Sequence, residues 1–403
     1  MTRPPASFPS TDMNPRTTFD FIVIGAGIAG ASIAAQLASR GSVLLVEAES
    51  QPGYHTTGRS AALYSGIYGN AAVRALSRAS RGFLLDPPAG FAQAPLLRPR
   101  PTLFFAGREQ AGLIERFRDE ADVRAATRVL DAAAVHALVP LLAPERGAGG
   151  VLDEASADID VHELHQAWLR AAKRQGAELR LDCRLTGARR EGAAWRVEAG
   201  GGRFHAPVIV DAAGAWGDHV AALAGATPVA LRPLRRTALL VDVPGALAAD
   251  DWPACIAIDE SFYFKPDAGL LLLSPADEGP SEACDAQPED LDVAIAIDRF
   301  EQATGLSVPR VRHRWAGLRV FSPDRTPVVG FDPRAEGFFW FAGQGGYGIQ
   351  IADALARLGA ALACAEAMPA DLAAHGVDAA ALAPSRFQPS HLNLRPDENS
   401  PCH

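Results

Sequence analysis

The sequence predicts an α/β protein of two domains. One is a discontinuous unit wound on parallel βαβ connections, and the other is a strand-rich α+β unit. Three observations carry the prediction. An apolar run, a Gly-punctuated turn, a helical stretch and a second apolar run (SVLLVE) follow one another between residues 19 and 47. Similar buried β runs recur in the middle, PVIVD at 207–211, and near the end, FFWFA at 338–342. Between them lie segments of alternating character at 234–243, 261–265 and 269–274, which read as antiparallel strands.

The elements follow in order. Residues 19–24 are a strand, 28–39 a helix and 42–47 a second strand, which together make one βαβ unit. Residues 162–175 (HELHQAWLRAAKRQ) read as a helix, and an Ala-rich helix is expected from Gly346 to about Ala367. The βαβ-built domain is therefore expected at 18–82, 153–229 and 314–386, with the strand-rich domain at 83–152 and 230–313. The Pro- and polar-rich ends, 1–17 and 387–403, read as tails without periodicity, and Met13 is an alternative natural start.

Bulk properties narrow the partners. A chain of 403 residues is too long for one compact core. The net charge of -9 and the lack of a Lys/Arg run exclude a nucleic-acid partner. Cys183, Cys255, Cys284, Cys364 and Cys402 are scattered with no CxxC pair, so neither a disulfide framework nor a metal site is expected, and a reducing cytoplasm fits. Arg3 and Arg16 before the apolar stretch 21–38 imitate a signal peptide, but the ordered glycines inside it argue otherwise. No apolar run is long and Gly-poor enough for a membrane span.

The turn of the first unit is Gly25-Ala26-Gly27-Ile28-Ala29-Gly30. Gly25 permits the tight turn, Gly27 lets backbone approach a pyrophosphate, and Gly30 lets the helix pack on the strand. The helix N-terminus offers N–H groups and a positive dipole end to phosphates. Glu47 closes the second strand about twenty residues on, where a carboxylate takes ribose hydroxyls. Strand, helix, second strand and acid together make this a Rossmann-type dinucleotide site. FAD is preferred to a nicotinamide for two reasons. A small polar loop, Gly53 to Ala62, follows Glu47 and could run along an extended cofactor. A second Gly-rich segment, GQGGYGIQ at 343–350, is expected to open a helix whose N–H groups face a flavin carbonyl.

With VIGAGIAGAS, QPGYHTTGRSAA, DPPAGF, SADID, DAAGAW, DESFYFKPDAG, WAGLR and GQGGYGIQ, the chain resembles the D-amino-acid oxidase superfamily of FAD-dependent oxidoreductases from about Asp20 to Arg386. Within it the match is closest to the bacterial FAD-dependent D-arginine dehydrogenases. The resemblance implies non-covalent FAD lined by Ala29, Glu47, Ala48, the loop Thr56, Thr57, Gly58, Arg59, Ser60, Ala61, Ala62 and Leu63, then Leu185, Gly214, Gly345, Gly346, Tyr347, Gly348, Ile349 and Gln350. It implies that Arg236 and Arg319 hold a substrate carboxylate, with Tyr263 and Tyr68 as active-site tyrosines, Tyr68 on a mobile loop of about 60–71. Gly346, Tyr347 and Gln350 would also face the substrate, with Ala254 and Ile256 nearby.

A planar guanidinium is well suited to grip a carboxylate. An arginine in the apolar neighbourhood 315–321 needs a buried anion, whereas Arg232 and Arg235 compete with Arg236 for its role. His162 and His165 lack zinc-helix spacing and read as surface residues.

The implied reaction is oxidative deamination. The neutral amino acid gives its Cα hydrogen as hydride to flavin N5, and the imino acid hydrolyses to a 2-oxo acid and ammonia. The electrons then pass to a quinone or other acceptor. Two departures bear on the substrate. Thr102 stands where the D-arginine enzymes carry a glutamate, and Leu63 where they carry a histidine, so neutral and partly apolar side chains are expected. Another acid, such as Asp86, would restore a cationic preference by reaching the pocket. The rival readings are D-arginine or D-lysine dehydrogenase, glycine/sarcosine-type oxidase, 2-hydroxy-acid dehydrogenase, and a flavin-binding subunit without turnover.

Overall fold

A computed structural model describes residues 16–243 and 250–387. The expected tails lie largely outside them, as does Cys402. At the start of the described chain, the Thr17 carbonyl accepts the His205 N–H at 2.8 Å.

The first sheet has six strands in the order Val328–Phe331, Phe338–Ala342, Val208–Asp211, Phe21–Ile24, Val43–Val46 and Glu178–Arg180. All neighbours are parallel except the antiparallel edge strand Val328–Phe331. The near-continuous apolar character of the central strands follows from burial on both faces. Phe21 and Val23 pack with the helices Ile28–Ala38, Val161–Arg174 and Ala352–Ala363. Ile22 and Ile24 face the other way, onto the antiparallel meander Leu185–Glu191, Ala194–Ala199 and Gly202–Ala206. The carboxyl ends of the parallel strands are therefore left open at one edge, as ligand binding in this architecture requires.

The second sheet has ten strands. Its main path runs Gln344–Gly345, Val311–Phe321, Arg232–Val241, Leu270–Ser274, Tyr263–Asp267, Ala254–Ala257, Thr102–Ala106, Gly149–Asp153, Arg128–Asp131, and Gly279–Pro280 pairs beside Arg232–Val241. Alternation divides its residues. Leu103, Phe105, Cys255, Phe264, Leu271, Leu273 and Leu239 form a core with Val293 and Phe300 of the helix Asp290–Thr304. Thr102, Phe104, Ile256, Tyr263, Arg236 and Ala238 turn to the cavity instead. Leu63–Tyr64, Ala157–Ile159 and Leu97–Pro99 form a small antiparallel sheet.

Two boundaries differ from expectation. The division placed between 313 and 314 falls inside Val311–Phe321, which pairs with Arg232–Val241 along its length. The helix expected from Gly346 begins at Ala352. Gln344 and Gly345 pair with Phe321 and Val320, and the following residues form turns before the helix, so these glycines serve the turn.

Candidate active site

A cavity of about 1310 Å³ lies between the carboxyl ends of the parallel sheet and the exposed face of the ten-stranded sheet. That exceeds the roughly 300–1,000 Å³ of ordinary small-molecule sites and leaves room for an extended dinucleotide and a small substrate together.

The dinucleotide cradle is formed by the first turn. Gly25 has φ +95°, and a Cβ there would meet the Ala212 carbonyl oxygen at 2.7 Å. A Cβ on Gly30 would fall 1.7 Å from the Gly25 oxygen, so Gly30 is a packing glycine that does not line the cavity. Gly27 does line it, at the N-terminus of Ile28–Ala38. Thr57 Oγ1 accepts the Ile28 N–H at 3.0 Å, satisfying one of the donors that a helix start leaves open. Glu47 accepts the Ala26 N–H at 2.8 Å through one oxygen and the Glu49 N–H at 3.0 Å through the other, so its carboxylate is held at the cavity wall with lone pairs to spare.

His165 is a correction. It is buried, not on the surface, and its Nε2 lies 2.9 Å from the Ala26 carbonyl. Burial lowers its basicity, and the neutral ring donates to that carbonyl from beneath the turn. His162 is exposed as expected.

The loop after Glu47 is fastened to the second sheet. Thr56 Oγ1 donates to the Leu318 carbonyl at 2.8 Å, and Arg59 donates to the Ala286 and Ala316 carbonyls at 2.7 and 2.9 Å. Ala48, Thr56, Thr57, Arg59, Ser60, Ala61, Ala62 and Leu63 line the cavity, whereas Gly58 does not. Ala29, Leu185, Gly214 and Gly345 to Gln350 line it as well. The Gln350 amide is already spent. It accepts the Ser65 N–H at 3.0 Å and donates to Ser77 Oγ at 2.7 Å, so it holds the loop instead of offering its amide to a ligand. Among the described residues no cluster of His, Cys, Asp and Glu could hold a metal ion.

The cation cluster lies where the second sheet meets the Gly-rich turn. Arg236 pairs with Gly317 and Leu234 pairs with Arg319, so the two arginines share one face. Arg235 points away, to Glu289 and Asp292, and Arg232 is exposed, which resolves the competition for the cavity position in favour of Arg236. Arg319 is buried, with its guanidinium carbon 5.7 Å from the Tyr347 ring centre and 5.2 Å from that of Phe321. Burial works against its charge, but Tyr68, Tyr347 and Glu278 outweigh it and the group is more basic than usual. Tyr68 and Tyr347 meet edge-on with ring centres 5.3 Å apart. Burial pushes the Tyr347 hydroxyl up, so it remains a donor. Tyr263 lines the same cavity on a strand two removed from Arg236.

Two members of the cluster were not visible in the sequence. Glu278 accepts from Arg319 at 3.1 Å, from Arg236 at 3.3 Å and from both Nη atoms of Arg325 at 3.1 and 2.9 Å. Leu63, Thr102, Phe104 and Ile256 also line the cavity, while Ala254, the sheet neighbour of Thr102, does not reach it. Thr102 Oγ1 is buried and has no hydrogen-bond partner. Asp86 is exposed and does not line the cavity, but Glu260 does.

The chain is similar to known proteins over most of its length. A model of the family described as FAD dependent oxidoreductase, DAO, matches residues 20–362. The hydrogen cyanide synthase subunit HcnC of Pseudomonas aeruginosa is 25% identical over 88% of this chain and 95% of its own length. Glycine oxidase from Geobacillus kaustophilus superposes with a TM-score of 0.77 at 20% identity, covering 90% of this chain and 99% of that one. L-α-glycerophosphate oxidase from Mycoplasma pneumoniae, with FAD bound, superposes with a TM-score of 0.79 at 18% identity, covering 86% and 95%. The chain belongs to the DAO family of FAD-dependent oxidoreductases, and FAD is its cofactor. The cradle of Gly25, Gly27 and Glu47 fits the dinucleotide part of that cofactor.

Proposed function

We propose that this FAD-dependent oxidoreductase deaminates a D-amino acid with a neutral, partly apolar side chain, yielding an imino acid that hydrolyses to a 2-oxo acid and ammonia. FAD, when bound, supplies the acceptor for two electrons and the Cα hydrogen. The observation that carries the reading is the buried Arg319 guanidinium set against the Gly-rich turn beside Tyr347 and Tyr68. Arg319 takes the α-carboxylate through paired hydrogen bonds, with Arg236 adding charge beside it. Tyr68, Tyr347 and Tyr263 supply hydroxyl donors and exclude water. The same positive cluster disfavours a substrate ammonium and so favours the neutral amine that the oxidation needs. No strong base is required of the protein, whose part is orientation and electrostatics.

Leu63, Phe104 and Ile256 give the side-chain wall its apolar character, and Thr102 brings no charge. A second reading, a preference for D-arginine or D-lysine, is favoured by one observation, the Glu260 carboxylate at the cavity wall. The electron acceptor is proposed to be a quinone or another small oxidant. The free thiols of Cys183, Cys255, Cys284 and Cys364 support a cytoplasmic setting. Among the described residues no helix is long and apolar enough to cross a membrane.

The test is anaerobic mixing of the yellow holoenzyme with D- and L-amino acids, glycine, sarcosine and 2-hydroxy acids. Bleaching of the flavin band by neutral D-amino acids is expected, and its loss of sensitivity in Arg319→Met. Bleaching only by glycine, sarcosine or hydroxy acids moves the enzyme to a rival class, and no bleaching by any of them points to a subunit without turnover.

A further inference from the structure

We infer that Glu278 sets substrate specificity by filling one carboxylate position of a three-arginine cluster, so that the site takes a single substrate carboxylate and turns away substrates with a second. The inference rests on the carboxylate grip proposed above and concerns which acids that grip admits.

The carboxylate is part of the fold and not a loose surface group. Asp277, its neighbour, accepts the Thr237 N–H at 2.7 Å and the Thr237 hydroxyl at 3.1 Å, and the Asp277 carbonyl accepts Arg236 Nε at 2.8 Å. On the other side Gly279 and Pro280 pair with Arg235 and Leu234. Just before it, Ala276 has φ +53°, a left-handed conformation that costs a non-glycine residue energy and persists only where the surroundings impose it. Both flanks thus hold position 278 against the arginine strands.

Its charge is equally well determined. Partial burial pushes the Glu278 carboxyl up, but Arg325, Arg319 and Arg236 outweigh it and hold the group below the usual carboxylate range. Glu278 engages both Nη atoms of Arg325, and the substrate α-carboxylate is left Arg319 with Arg236 beside it. The Arg325 fork is already closed on Glu278 by two hydrogen bonds, so a second substrate carboxylate finds no free fork and meets a fixed negative charge at the cavity wall. Rejection of this kind works by placing a repulsive group where the wrong ligand would sit.

The test uses the FAD-loaded protein and equilibrium binding, with no turnover needed. Calorimetry gives the affinities of butyrate and succinate for wild type, Glu278→Gln, and Glu278→Gln combined with Arg325→Gln, with FAD retention verified by the visible spectrum. Glu278→Gln keeps shape and removes charge, and it is expected to shift the affinity ratio toward succinate by about tenfold or more. Adding Arg325→Gln is expected to cancel the gain, because the freed fork is gone. An equal rise for both ligands would show that Glu278 merely competes for the α-carboxylate, and no change would make it an inert ion pair. Either overturns the inference while leaving the Arg319 grip intact. If butyrate binding does not depend on Arg319, as judged with Arg319→Met, the grip itself fails and the inference with it.

Discussion

The Arg319 guanidinium lies so close to Gly346 that a Cβ at position 346 would fall 2.1 Å from Nε and 2.5 Å from Cζ. Gly346 does not have a positive φ, so its glycine serves close approach and not backbone freedom. The residue that would grip the carboxylate is therefore seated on the turn that would face the flavin.

Gly346→Ala should consequently displace Arg319 without touching the dinucleotide cradle around Gly25 and Glu47. We expect carboxylate ligands to bind at least tenfold more weakly, a loss of about 1.4 kcal/mol or more, with FAD content unchanged. Titration with butyrate and the visible spectrum read the two quantities separately. Full retention of ligand affinity would mean that Arg319 does not need its seat.

Glu47→Ala should act on the opposite end of the cavity. The carboxylate fastens the Ala26 and Glu49 backbone N–H groups and presents its remaining lone pairs to the cavity. Each hydrogen bond to a charged group is worth about 1.5–3 kcal/mol. Weaker FAD retention on gel filtration is expected, restored in part by added FAD. A variant that keeps FAD as tightly as wild type would place the ribose elsewhere.

The sequence showed the cradle because strand, glycines, helix and acid lie within thirty residues of one another. The surface expectation for His165 conflicts with the apolar spacing of its own helix. Leu164, His165, Trp168 and Ala172 follow the spacing of one buried stripe, which would have put the histidine inside. Glu278 lies in an acidic stretch that looks like solvated loop, and only tertiary pairing brings it to Arg236 and Arg319, each about forty positions away in the chain. The same holds for Glu260, which reaches the cavity where the candidate Asp86 does not. The late helix start at Ala352 goes with the pairing of Gln344 and Gly345 to Val311–Phe321, where Gly345 at φ +56° packs so tightly on Phe321 that a Cβ would fall 2.3 Å from its ring.

Asp211 should give the folded protein a pH dependence of its own. Burial pushes its carboxyl from 3.8 up to about 8, and its Oδ2 has no partner. The native state thus holds a proton that the unfolded state releases near pH 4. Stability from this group is fully present below the unfolded value and is lost as pH rises through about 8. Asp211→Asn keeps an acceptor for the Ala213 N–H and removes the titration, so its unfolding free energy should gain on wild type between about pH 5 and pH 8, at about 1.4 kcal/mol per pH unit at most, with its melting temperature following. A difference in melting temperature that does not vary with pH would show that Asp211 is ionised in the native protein.

Thr102 separates the two substrate readings. Its hydroxyl is fully buried at the cavity wall with no partner, a condition that costs about 1–3 kcal/mol and is relieved by an apolar group of the same shape. Thr102→Val should therefore leave stability unchanged or raise it, and turnover of D-leucine, D-methionine or D-phenylalanine should persist. Thr102→Glu should do the reverse, placing a carboxylate among Leu63, Phe104 and Ile256 where only a cationic side chain relieves it. The measured quantity is the ratio of kcat/KM for D-arginine to that for D-leucine. Our reading requires the neutral substrate to lead in wild type and the ratio to rise in Thr102→Glu. A wild-type preference for D-arginine of about tenfold or more, about 1.4 kcal/mol in transition-state binding, would transfer the specificity to Glu260. In that event Glu260→Gln should abolish the preference, which makes the acid at the cavity wall, and not the orphan hydroxyl, the residue that selects the side chain.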